Sequence, residues 1–208
     1  MEFDTPLVLA TRNKGKIVEF KDLFENTGIT LKSLDDFGPI PEVVEDGETF
    51  EDNAVKKAQF TARVLGFPAI ADDSGLVVEA LGGRPGVYSS RYAGEGATDE
   101  LNNLKLLKEM EGISKRDAYF ACVVAIAVPR GPALIYEGKC HGIIAHERSG
   151  SDGFGYDPLF YHPPSGKTFS EMSPEEKNLL SHRGTAMLEL KEEANKVFVW
   201  LKNRLSED

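Results

Sequence analysis

The order of apolar and polar segments predicts an α/β fold built on a mixed β-sheet. Three observations carry the prediction. The chain opens strand-loop-helix, two long apolar segments are later separated by Pro129-Arg-Gly-Pro132, and the C-terminal region is helical. A hairpin at the proline-glycine turn makes the sheet at least partly antiparallel, and residues 1–208 read as one domain without repeat, low-complexity tract or linker.

Pro6-Leu-Val-Leu-Ala10 has the composition of a short buried strand. The polar loop 11–15 follows, and then Ile17, Phe20, Leu23 and Phe24 recur at helical spacing to about Gly28. An acidic stretch around Asp36, Glu42, Glu45 and Asp46 precedes Thr49, which with Asp52 resembles a capping box opening a helix to about Leu65. Ala54, Ala58, Ala62 and Leu65 are expected to face the core, and Asn53 and Lys57, four apart, share a face. Residues 68–71 and 76–81 read as two strands joined through the acidic turn Asp72-Asp73-Ser74-Gly75, and 82–96 as an irregular glycine-rich loop. Leu101, Leu104 and Leu107 mark a helix after Thr98, and strands are expected over 119–128 and 133–144. Gly and Pro turns surround Phe154, Tyr156, Phe160 and Tyr161. Ser173-Pro-Glu-Glu176 then opens a helical region with Met187, Leu190, Ala194, Val197, Phe198 and Leu201 on one stripe.

The chain has 208 residues, 41% hydrophobic and 28% charged, enough for a sizeable core. Its net charge of −10 and the lack of a Lys/Arg stripe with interleaved aromatics argue against nucleic acid as partner. No apolar run reaches the roughly 18 residues of a membrane helix, and the start lacks a signal-peptide pattern. A soluble cytoplasmic protein with no membrane partner is expected. Cys122 and Cys140 have no metal-ligand spacing and read as buried reduced thiols, and His141, His146 and His162 lack HxH or HExxH spacing.

Five segments could carry chemistry. Thr11-Arg-Asn-Lys-Gly-Lys16 lies where a helix N-terminus offers unpaired N–H groups to phosphate, although it is neither a Walker loop nor a GxGxxG fingerprint and alone equally reads as a polar turn. The adjacent carboxylates Asp72 and Asp73 suit a hard cation such as Mg²⁺, and one beside it could take a proton from water. Strand residues alternate faces, so both enter one site only if the backbone turns there. Glu45 joins them only if folding brings it to Asp73. Phe154-Gly-Tyr-Asp157 offers an aromatic to stack on a base and a carboxylate to accept from it. Lys177 with His182 and Arg183 offers donors to carbonyl oxygens or phosphates.

In this order these segments resemble the inosine triphosphate pyrophosphatase family. The likeness runs from Leu7 to about Leu190. It is carried by Ala10-Thr-Arg-Asn-Lys-Gly-Lys16, Thr49-Phe-Glu-Asp-Asn-Ala54, Ala71-Asp-Asp-Ser-Gly-Leu76, Gly82-Gly-Arg-Pro-Gly86 with Ser90-Arg-Tyr92, Gly153-Phe-Gly-Tyr-Asp-Pro158, and Glu176-Lys177 with Ser181-His-Arg-Gly184. The resemblance implies an elongated mixed β-sheet with flanking helices, two lobes around a central cleft and a homodimer. It also implies Mg²⁺-dependent hydrolysis of damaged purine triphosphates (ITP, dITP, XTP) to the monophosphate and pyrophosphate.

By the same resemblance, Thr11, Arg12, Asn13, Lys14, Gly15 and Lys16 match a triphosphate loop, with Arg12 standing where relatives often carry a small residue. Lys57 matches a phosphate-facing lysine. Glu45 matches a metal-site acid, with Asp46 and Glu48 as alternatives. Asp73 matches both a metal ligand and the general base, and Ser74 a substrate contact. Phe154, Gly155, Tyr156, Asp157, Lys177, His182 and Arg183 match the base-recognition set. Two rival readings are a related pyrophosphatase for pyrimidine or methylated nucleotides and a non-catalytic nucleotide sensor.

Overall fold

The computed structural model describes residues 3–25 and 28–206, the side chains of Phe3, Asp4 and Leu23 excepted. Leu23, expected on the first helix's buried stripe, and Met1 and Glu2 at the start therefore lie outside the described residues. Seven strands, β1 (Phe3–Leu9), β2 (Ile29–Ser33), β3 (Ala69–Val78), β4 (Asp117–Ala127), β5 (Leu134–Ile144), β6 (Phe160–His162) and β7 (Lys167–Thr168), form one sheet in the order β2-β1-β3-β4-β5-β6-β7. β1 runs parallel to β2 and β3, whereas β6 is antiparallel to β5 and β7, so the sheet is mixed as predicted. The helices are α1 (Lys14–Phe24), α2 (Phe50–Leu65), α3 (Asp99–Glu109), α4 (Pro174–Leu180), α5 (His182–Glu192) and α6 (Ala194–Ser206). Among the described residues no helix is long and apolar enough to cross a membrane.

The chain divides into two compact units. Unit 1 is Met1–Asp73, Val123–Glu137 and Ala186–Asp208; unit 2 is Ser74–Cys122 and Gly138–Thr185. In unit 1, Ala54, Ala58 and Ala62 of α2 are fully buried against Val8, Ala10, Ala69, Ala71, Val123, Ala125 and Ala127. Small side chains on both surfaces let the α2 backbone approach the strands closely. That brings Asn53 and Lys57, on the same stripe of α2, within reach of β3. The capping box that starts α2 forms as expected: Thr49 Oγ1 accepts from Asp52 N at 3.1 Å, and Asp52 Oδ2 accepts from Thr49 N at 3.1 Å.

In unit 2 the core holds a group of packed rings among aliphatic side chains. Phe120, Phe160 and Phe169 pack with ring centroids 4.7–5.7 Å apart, each pair contributing about 0.5–1.5 kcal/mol beyond its buried area.

Four expectations change. Asp72-Asp73-Ser74-Gly75 is not a turn joining two strands, because β3 runs unbroken from Ala69 to Val78. Both strand faces are buried there, which removes the apolar-polar alternation that would have revealed a strand. The buried face of α3 is not Leu101 and Leu104, which are 51% and 53% exposed, but Asn102, Asn103 and Leu106. Asn102 accepts from Ala93 N and donates to Ser90 O, so polar loops rather than apolar neighbours decide this face. The glycine-rich loop contains a 3-10 helix, Gly86–Arg91. The C-terminal region is three helices, the first breaking at Ser181, whose φ of −73° and ψ of 159° are extended. Gly184 then packs against the Asn178 carbonyl so closely that any Cβ would strike it.

Candidate functional site

Unit 1 gathers charges around the C-terminal end of its β3 segment. Asn13 caps α1, its Oδ1 accepting from Lys16 N at 3.2 Å, while Thr11 Oγ1 accepts from Asn13 N at 3.2 Å. The loop is thus a preformed helix N-terminus with exposed Lys14 at its first position and Gly15 next to it. Lys16 turns inward and pairs with buried Asp72 at 3.0 Å. Arg12 stays outside, 3.5 Å from Ile40 O and 3.7 Å from exposed Glu42.

Asp73 is 6% exposed and lies between two α2 side chains. Lys57 Nζ donates to its Oδ1 at 3.0 Å and Asn53 Nδ2 to its Oδ2 at 3.2 Å. Lys57 Nζ is also 3.4 Å from Glu45 Oε2. The aspartates remain on one straight strand and take different lysines, as alternation demands. Of the alternatives to Glu45, Asp46 forms an exposed ion pair with Lys56, and Glu48 is exposed.

Burial raises the Asp73 carboxyl above its ordinary 3.8, against the lowering pull of Lys57 and Lys16 and with Glu45 adding to the rise. For Lys57 burial acts downward, but the attraction of Asp73, Asp72 and Glu45 wins and its pKa is raised. Lys16 and Lys57 thus meet the carboxylates of Asp72, Asp73 and Glu45 in one charged cluster.

That donor set fits Mg²⁺ in one particular way. Among the described residues no three His, Cys, Asp or Glu side chains could hold a metal by themselves. Mg²⁺ commonly takes one or two carboxylates and completes its shell with water and phosphate oxygens. Glu45 and Asp73, both on Lys57, suit a cation bound with a phosphate ligand.

Unit 2 builds its own set around a second buried lysine–aspartate pair. Asp157 Oδ2 accepts from Lys177 Nζ at 2.7 Å and from Phe154 N at 2.9 Å. Lys177 Nζ stands 4.6 Å from the Phe154 ring centroid and 5.9 Å from that of Phe169. A Cβ on Gly153 would collide with Asp157, and its φ of +82° independently favours glycine. α4 carries Lys177 and starts with a Ser173–Glu176 capping box, Glu176 also pairing with Lys167 at 2.8 Å.

His182 stacks on Phe120 at 4.7 Å with an interplanar angle of 12°. Arg183, 2% exposed, donates to Ser74 Oγ at 3.0 Å. Tyr156 is 4% exposed and its hydroxyl donates to Ser89 O at 2.9 Å, so this ring packs in the core. Gly155 is held through its backbone by Asp99 and Asn103 of α3.

Asn53, Asp99 and Asn103 were not among the candidate site residues. Asn53 carried a signal, its i,i+4 relation to Lys57, whereas Asp99 and Asn103 lie more than fifty positions from the loop they hold.

The chain is similar to known proteins over nearly its whole length. The family model of the Ham1 family matches residues 7–193. The chain is 57% identical to a dITP/XTP pyrophosphatase of Desulfotalea psychrophila over 97% of this chain and 91% of that protein. It is 52% identical to the dITP/XTP pyrophosphatase of Geobacter sulfurreducens over 90% of this chain and 96% of the relative. Among solved structures, a HAM1 protein from Coxiella burnetii superposes with a TM-score of 0.84 at 42% identity, covering 92% of this chain and 99% of that one.

Proposed function

The chain belongs to the Ham1 family, and from that premise we propose that it hydrolyses deaminated purine nucleoside triphosphates (ITP, dITP, XTP) to the monophosphate and pyrophosphate with Mg²⁺ as cofactor. The observation that carries the chemistry is Asp73, a buried carboxylate held by Lys57 and Asn53 with Glu45 beside Lys57. The relatives called dITP/XTP pyrophosphatase, alike over nearly the whole chain, support the substrate class.

Glu45 and Asp73 are the residues that would hold the metal. When bound, Mg²⁺ neutralises triphosphate charge and polarises the α-phosphate. Asp73 accepts the proton of a water whose oxygen bonds to the α-phosphorus as the bond from that phosphorus to the α–β bridging oxygen breaks. Lys16, Lys57 and the α1 N-terminus, with Thr11, Asn13, Lys14 and Gly15, offset the charge gathering on the departing pyrophosphate. Arg12, exposed and facing Glu42, adds only long-range attraction.

For the base, Phe154 supplies a ring to stack on, and the backbone of Gly155 and the carboxylate of Asp157 shape its surroundings. Lys177, His182 and Arg183 supply donors, and Ser74 orients Arg183. Hypoxanthine and xanthine present a 6-oxo acceptor where adenine presents an amino donor. A buried donor satisfied by the first is left unpaired by the second, which is costly. Guanine shares the 6-oxo group, so its rejection depends on the 2-position. We also propose that the protein is a cytoplasmic homodimer; light scattering reads the oligomeric state directly.

A panel of nucleoside triphosphates with pyrophosphate detection, with and without EDTA, tests the proposal. Pyrophosphate from inosine, deoxyinosine and xanthosine triphosphates, lost on chelation, is expected. Release of orthophosphate instead, or equal turnover of adenosine triphosphate, would overturn the cleavage position or the base preference.

A further inference from the structure

The segment that bears Phe154 and Asp157 is gripped at one residue from both sides of its backbone. Gly155 N donates to Asp99 Oδ2 at 2.7 Å, and Gly155 O accepts from Asn103 Nδ2 at 2.8 Å. Asp99 and Asn103 are four apart and so lie on one face at the start of α3. Gly155 has a φ of +61°, in the left-handed region. A residue in that region with both polar groups engaged by one rigid helix has little freedom to rotate its neighbours.

Asn103 is 1% exposed, and its Nδ2 also donates to Asp99 O at 2.7 Å, while its Oδ1 has no hydrogen-bond partner among the described residues. Turning the amide over would set Oδ1 against two carbonyl oxygens, so the donors fix its orientation. A buried acceptor left over is unfavourable. Leucine would fill similar volume without that penalty, so the amide is present for the donors it supplies.

From this clamp we infer that Asp99 and Asn103 are positioning residues for base recognition, setting where Phe154 and Asp157 stand through the peptide groups of Gly155. The inference rests on the proposed role of Phe154 and Asp157 in holding the purine. It assigns α3 a part in substrate affinity although neither of its two side chains need touch the ligand. Asp157 adds a local bond, accepting from Phe154 N, and that bond keeps the ring and the carboxylate together as one body. The clamp therefore moves both or neither.

Four variants test it: Asn103→Leu, Asp99→Ala, Asp99→Asn, which keeps an oxygen acceptor for Gly155 N, and Leu104→Ala, an exposed change on the same helix as the control. Asn103→Leu and Asp99→Ala are expected to raise KM for inosine triphosphate about tenfold with kcat within about threefold. Asp99→Asn is expected to stay near the parent, and Leu104→Ala to match it. Thermal unfolding separates positioning from folding. A lowered Tm with unchanged KM, or equal falls in kcat for every variant including Leu104→Ala, overturns the clamp.

Should the parent protein release no pyrophosphate from inosine triphosphate, the reading of the reaction fails on its own. The clamp is then judged from the nucleotide dissociation constant by calorimetry. A Kd for inosine triphosphate weakened in Asn103→Leu and restored in Asp99→Asn relative to Asp99→Ala supports it, and equal Kd values overturn it.

Discussion

Two buried lysine–aspartate pairs stand apart in the sequence, Lys57–Asp73 in unit 1 and Lys177–Asp157 in unit 2, with N–O distances of 3.0 and 2.7 Å. Their surroundings differ in kind. Lys57–Asp73 lies among further charges, Glu45, Asp72 and Lys16. Lys177–Asp157 lies among rings, Phe154 and Phe169, and its carboxylate also holds a backbone N–H. On the proposed reading the first cluster is where the cation and the phosphates bind together. The second is satisfied internally and gives orientation, because breaking it would leave a charge buried without its partner. On the proposed reading, the same pair of residue types serves chemistry in one place and geometry in the other.

Asp73→Asn is the largest expected break in that contrast. Turnover should fall by about a thousandfold or more with nucleotide binding largely intact, measured by pyrophosphate release and calorimetry; unchanged turnover on inosine triphosphate would sink the assignment of the base. The pH profile sharpens the point. Burial raises the Asp73 carboxyl, so the stability contributed by its neutral form is present below the ordinary carboxylate value and is lost as pH rises through the raised one. Turnover, which needs the ionised form, is gained over that interval. The acid limb of kcat/KM should therefore lie above the pH at which an exposed aspartate titrates. It should stay there in Lys177→Met, because the charges that act on Asp73 are Lys57, Lys16 and Glu45.

Lys177→Met should act on affinity instead. KM is expected to rise about 30-fold or more, the equivalent of about 2 kcal/mol for truncating one member of a buried pair, with kcat much less affected. A kcat loss as large as that of Asp73→Asn would erase the distinction between the pairs. Phe154→Ala comes next, with KM up about twofold to tenfold by loss of stacking and a smaller change in kcat. Equal loss for every triphosphate, adenine included, would make Phe154 a core residue only. The smallest effect is expected from Asp46→Asn. Loss of this exposed partner of Lys56 should leave stability nearly unchanged and leave the Mg²⁺ requirement alone, whereas Glu45→Gln should raise it. Reversed Mg²⁺ titrations would exchange their roles.

Local patterns were legible where one segment contains both partners. The Thr49–Asp52 capping box and the three alanines of α2 needed no knowledge of the rest of the chain, whereas the first helix starts at Lys14, inside the expected loop 11–15. The face of α3 was not legible, since Leu101 and Leu104 are exposed and Asn102 and Asn103 buried, an order that hydrophobicity reverses. The acidic strand was misread as a turn for a related reason: Asp is unfavourable in strands unless a distant lysine compensates it, and the lysines belong to α1 and α2.

By itself the sequence determined the fold class, the capped start of α2 and the set of charged and aromatic residues that can perform phosphate and base chemistry. Those follow from periodicity and capping, which act over a few residues, and from motif order. Only the tertiary structure decided which lysine meets which aspartate, that Glu45 rather than Asp46 approaches Lys57, and that α3 holds Gly155. These pairings join residues from 12 to 56 positions apart. They depend on how closely elements pack, which no local pattern records.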